Sequence, residues 1–138
     1  MEYKYYRALR WFRITVGFGF IINMIFVLPA LLAPRYLETL SDFGVTNTVH
    51  WLQNVGILLA IVTIMYIPAI KDPFRYVFNC YLLVGGRFSA GLLFLVGVLF
   101  MNYPTGMKVL AGGDLLLSSI QAMLLYRMLR DGDPRSAY

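Results

Sequence analysis

The 138-residue chain is 59% hydrophobic and only 14% charged, with a mean hydropathy of +0.67. Soluble domains carry roughly a quarter charged residues, so this composition holds too little polar sequence to coat a water-soluble fold, and it is too apolar for intrinsic disorder. The formal charge of +5 comes from twelve Lys and Arg against seven Asp and Glu, and in so apolar a chain it reads first as membrane topology.

A transmembrane helix needs about 20 mainly apolar residues. Four stretches qualify, over about 11–33, 50–70, 74–100 and 107–129. Helices are the required form, because a lipid-exposed strand leaves its backbone groups unsatisfied in hydrocarbon. The chain opens on aromatic and basic residues in alternation, among them Tyr5, Arg7, Arg10, Trp11 and Arg13. Such a run places rings at headgroup depth and cations against anionic lipid, so these five are the membrane-interface residues. The apolar stretch that follows exceeds the 7–15 residues usual in a signal peptide and has no clean small-x-small cleavage site. It is therefore expected to stay as the first span. Pro34, Pro73 and Pro104 mark the three connections, while Pro29 and Pro68 fall inside spans and are expected to kink them near their ends. A polar tail closes the chain. The expected product is an all-α, single-domain integral membrane protein, an antiparallel four-helix bundle with both termini on one side.

Charge orients this bundle. Nine basic residues lie at the termini and the second connection, only Arg35 and Lys108 lie at the other end, and Arg87 falls within a span. The positive-inside rule then makes both termini cytoplasmic. The basic balance is thus a topology device, and no nucleic-acid partner is expected.

Polar groups at membrane depth are costly and therefore informative. Arg87 lies thirteen residues after Phe74, near mid-membrane. Unpaired, it would cost about 2.5–3.5 kcal/mol on insertion scales. Asp114 is the one acidic residue inside any span, on a helix running the other way. A pair between the third and fourth spans is expected. Asp114, Ser118 and Gln121 share one face of the fourth helix, His50 and Asn54 share one face of the second with Gln53 beside them, and Asn23 sits near mid-depth of the first. Arg87, Asp114, Asn54, His50, Gln53, Asn23 and Ser118 are therefore the candidate ligand-binding residues, arranged as a pocket opening away from the termini.

Gly17, Gly19, Gly85, Gly86, Gly91, Gly112 and Gly113 are expected to let helix backbones approach closely. The glycine runs lack the strand and the Lys-Ser/Thr ending of a phosphate loop. One cysteine, Cys80, and one histidine, His50, exclude a multi-cysteine metal centre and paired-histidine haem ligation within the chain. No metal site, covalent cofactor or catalytic constellation is legible, and catalysis by the chain alone is not expected.

The first span ends in Leu31-Leu32-Ala33-Pro34 followed by Tyr36-Leu37, the third carries Gly86-Arg87 with Ala90-Gly91, and the fourth carries Asp114. In these elements, over about 12–130, the chain resembles the DoxX-like group of small bacterial four-helix membrane proteins, in a branch of about this length. It departs from that branch where a basic and an aromatic residue often open the second span, having His50-Trp51 there. The resemblance implies a bacterial inner membrane and a redox setting that includes quinone-linked oxidation, and it supplies no catalytic residue. The function expected first is an accessory or structural subunit of a larger membrane complex, respiratory or redox. The second is a quinone-binding component of a membrane oxidoreductase, with quinone or lipid as ligand. The third is transport of a small solute or ion by an oligomer. Partners expected are membrane lipid and either other membrane subunits or further copies of the chain.

Overall fold

The computed structural model describes residues 2–41 and 49–131, with side chains for 6–39 and 50–131. Among the described residues six helices follow in order: α1 (Glu2–Leu32), α2 (Pro34–Ser41), α3 (Val49–Ile64), α4 (Tyr66–Lys71), α5 (Val77–Phe100) and α6 (Gly106–Asp131). No strand occurs among the described residues. Four segments, Tyr6–Leu32, His50–Lys71, Val77–Phe100 and Gly106–Asp131, are long and apolar enough to cross a membrane. The protein is an all-α bundle of four membrane-spanning segments, as the hydropathy pattern demands.

The boundaries carry two departures from expectation, and the kink expected at Pro68 takes the form of a full break. Helix α1 begins well before residue 11, because the basic and aromatic run contains no helix breaker and includes good helix formers such as Ala8 and Leu9. The connection after it contains α2, which tucks Leu37 against Ala30 and Leu52. The second span is two helices, broken at Met65. Pro68 lacks the N–H that would bond the Ile64 carbonyl, and its ring crowds that carbonyl. Asn79 of α5 braces the break, its Nδ2 donating to the Met65 carbonyl at 3.3 Å. Asn79→Ala should lower stability by about 0.6 kcal/mol, the usual worth of one interhelical side-chain bond in a membrane protein. Thermal unfolding in detergent reads this, and an unchanged midpoint would remove Asn79 as a brace.

Helix α1 packs against α3 on one side and α6 on the other, α5 lies along α6, and α4 bridges α1 and α5. Helices α3 and α5 therefore meet chiefly through α4, and the bundle stands open between them beyond it. Two apolar clusters fill the interior. The one at the terminal end joins Phe12, Val16, Ala69, Cys80, Leu83 and Met128. The other, at the far end, joins Ala30, Leu37 and Leu52 with Phe26. Between them lies a polar level.

Only some glycines make close approaches. A methyl group on Gly56 would stand 3.0 Å from the Ala30 Cβ, where α3 crosses α1. One on Gly91 would stand 3.0 Å from the Leu115 backbone nitrogen, where α5 crosses α6. By contrast, Gly17, Gly85, Gly86, Gly112 and Gly113 have nothing within 4 Å of such a methyl, so the expected close packing does not occur at them. The reason is helical phase. The buried stripe of α5 runs through Cys80, Leu83, Arg87, Gly91 and Gly97, and that of α6 through Ala111, Ser118, Gln121, Leu125 and Met128. The other glycines fall beside these stripes.

Candidate functional site

Arg87 stands ten residues into α5, about 15 Å along its axis from Val77. Its side chain crosses the interior and is almost completely buried. Nη1 donates to Asp114 Oδ1 of α6 at 2.9 Å, which is the ion pair expected from the sequence. Nη2 faces three acceptors: Asn23 Oδ1 at 3.0 Å, the Tyr66 hydroxyl at 3.3 Å and the Gly19 carbonyl at 3.4 Å. The guanidinium carbon lies 5.7 Å from the Tyr66 ring centroid, within cation–π range. One residue thus ties together α1, α4, α5 and α6.

Each partner is positioned by its own neighbours. Asn23 turns its amide nitrogen to Thr63 Oγ1 at 2.9 Å, which leaves its oxygen for Arg87 and sets the amide's orientation. Thr63 in turn donates to the Leu59 carbonyl at 2.6 Å, one turn back in α3. Gly19 is where it is because of the arginine. A methyl group there would stand 3.1 Å from Nη2 and 3.3 Å from Leu117 Cδ2, so the bare backbone lets α1 pass the guanidinium and offer its carbonyl without displacing either side chain. The donor inventory is left incomplete, since Arg87 Nε is buried and has no partner among the described residues.

The cluster borders a cleft of about 330 Å³ in the opening between α3 and α5. Val55, Leu58, Leu59 and Val62 form one wall, Gly86 and Ala90 the other, and Asn23, Tyr66, Arg87 and Asp114 supply its polar lining. Exposed Leu58 and Val62 border its mouth, so it opens sideways, toward lipid rather than along the bundle axis. A smaller cavity of about 220 Å³ adjoins it toward the terminal end, sharing Val62, Tyr66 and Gly86. An apolar cleft of this size with a few convergent polar groups is the usual form of a small-molecule site.

The remaining candidates are spread out. His50 and Asn54 are exposed, and Gln53 is half-buried with its Nε2 3.4 Å from the Leu31 carbonyl. None of the three lines the cleft. The face of α3 that packs inward is set by Leu52, Gly56 and Thr63, which turns His50 and Asn54 outward. Asn54 lies one turn before Leu58 on the stripe that continues through Val62, outside the cleft lining and the Arg87 hydrogen bonds. Ser118 is fully buried, but its hydroxyl is spent on the Leu115 carbonyl at 3.2 Å. Gln121, on the same stripe, bonds the Thr15 carbonyl of α1 at 3.1 Å. At the interface, Arg7, Arg10 and Trp11 are exposed, whereas Arg13 clamps α1 to the end of α4 through the Lys71 carbonyl at 2.8 Å. The Tyr5 side chain lies outside the described residues. No group of His, Cys, Asp and Glu suited to hold a metal ion occurs among the described residues.

Thr63 and Tyr66 were not legible as site residues. Both sit in a stretch whose hydropathy reads as plain span, and only their spacing of three, just before Pro68, hints at a common face.

These features define a class, a membrane-embedded four-span bundle with a buried, multiply bonded arginine at the polar end of a lipid-facing cleft. Comparison of the chain with models of protein families, with curated proteins and with solved structures found no match.

Proposed function

We propose that the protein is a membrane-embedded binding component that holds the polar head of a lipid-soluble ligand, of the quinone class, within a bacterial inner-membrane redox system. The single observation that carries the reading is the Arg87 cluster lining a lateral apolar cleft. A ligand diffusing in the bilayer reaches such a cleft without crossing water, and its ring would lie between Leu58 and Ala90. Arg87 donates to a ligand carbonyl, and the Asp114 carboxylate, about a quarter exposed, accepts from a reduced hydroxyl. The resemblance to the DoxX-like group supplies the redox setting, and the charge asymmetry supplies cytoplasmic termini.

The test is titration of the detergent-purified protein with a benzoquinone bearing one isoprenoid unit. Gly86→Leu should abolish binding by filling the cleft at a position where a side chain meets no neighbour, and it should leave the bundle folded. Arg87→Lys should weaken binding about tenfold or more, the worth of one lost charge-assisted bond. Parent-like affinity in both variants would overturn the reading.

An accessory role in a larger complex is favoured by a different observation. Gly112 and Gly113 of α6 are exposed, with open space where a side chain would be, and a neighbouring helix packs well on such a backbone. Gentle extraction from native membrane followed by mass determination separates the two roles, since an accessory subunit leaves the membrane with its complex. For transport there is less support, because apolar clusters fill the bundle on both sides of Arg87.

A further inference from the structure

At the terminal end, α1 and α6 border a groove of about 710 Å³ that is independent of the cleft. Arg7 and Trp11 line it from α1, and Leu124, Arg127 and Arg130 from α6. Three arginines from opposite ends of the sequence thus line one groove together with one carboxylate, Asp131, which Arg130 holds at 2.7 Å. Neither Arg7 nor Arg127 has an ion pair among the described residues. A second groove of about 530 Å³ adjoins on the other side of Arg7 and Trp11, adding Arg10 and Ile14. From there an exposed apolar stripe runs the length of α1 through Ile14, Phe18, Ile21, Ile25 and Leu28, at the three- and four-residue spacing of one helix face. Half-exposed Trp11 marks the junction of the cationic and apolar parts.

We propose that the α1–α6 groove binds the phosphodiester headgroup of an anionic glycerophospholipid, whose acyl chains lie along the exposed stripe of α1. Guanidinium forks match phosphate oxygens in pairs and are weakly hydrated, so they suit this anion better than lysines would. The tryptophan sits where an amphipathic ring is most stable, at headgroup depth. A soluble phosphate would satisfy the arginines equally well. The stripe continuous with them is what selects a lipid.

Native mass spectrometry of the full chain in neutral detergent tests this with phosphatidylglycerol, phosphatidylcholine and glycerol 3-phosphate as separate probes. The parent should retain phosphatidylglycerol over phosphatidylcholine, and glycerol 3-phosphate should not displace it. Arg7→Gln with Arg127→Gln should weaken phosphatidylglycerol binding about tenfold or more, as expected for two surface cations near an anionic headgroup. Arg127→Gln alone should give a smaller loss, and Arg75→Gln, outside the groove, no change. All these residues are exposed, so helical content should not move. Equal retention of both lipids, parent-like binding in the double variant, or displacement by glycerol 3-phosphate at matched concentration would each overturn the proposal. So would a lipid-free dimer that the same double variant dissociates, because the occupant of the face would then be a second copy.

Discussion

Asp114→Ala should cost the bundle about 3–5 kcal/mol, the largest single-residue effect expected in this protein. The cost arises from what remains and not from what is removed. Arg87 stays buried at 7% exposure with a charge that no other acidic group offsets, since Asp114 is its only ion-pair partner among the described residues. The neutral acceptors on Nη2 share the desolvation cost but supply no counter-charge. Replacing both partners, Arg87→Met with Asp114→Leu, should recover most of the loss, because a well-packed apolar pair is often as stable as the buried ion pair it replaces. Unfolding in detergent or lipid discs, followed as a double-mutant cycle, measures the coupling. The same double variant separates structure from function: restored stability with no quinone-analogue binding places the pair in the ligand site. A parent-like midpoint for Asp114→Ala alone would show that Arg87 does not depend on Asp114.

Gly91→Ala should destabilise by about 1–3 kcal/mol, whereas Gly85→Ala, two turns away, should stabilise by roughly 0.5–1 kcal/mol. Alanine raises helix propensity equally at both sites. The difference is what the new methyl meets. At Gly91 it presses on the Leu115 side chain at 2.9 Å and its backbone nitrogen at 3.0 Å, and the second of these cannot swing aside, so α5 and α6 must separate next to the ion pair. At Gly85 nothing lies within 4 Å. Thermal midpoints of the two variants, run side by side, decide the matter, and equal shifts would mean that the α5–α6 crossing is not close.

Much of the fold was readable because its cause is local. Four apolar runs of helical length leave a chain in lipid no alternative, and Pro34, Pro73 and Pro104 stand in the connections between them. The Arg87–Asp114 pair was readable for a related reason. Two opposite charges at similar depth have few other ways to be stabilised, and they are found bonded at 2.9 Å. Helical phase was harder. His50 and Asn54 share a face, but which face packs inward depends on where α1 lies, and Gly56 against Ala30 settles that. The glycine pairs show the same limit: small residues permit close contact, while partner helices decide where it occurs.

By itself, then, the sequence determined that the chain is a four-span helical membrane bundle and that Arg87 needs a partner inside it. These follow from solvation, which acts residue by residue. Tertiary structure decided the rest. It brought Asn23 and Tyr66 to the arginine and set Thr63 behind Asn23. It also opened the cleft between α3 and α5 and gathered Arg7 and Arg127 across 120 residues of chain into one groove. Those outcomes depend on crossing angles and helix rotation, which come from the packing of side chains on different helices and are encoded in no single stretch of sequence.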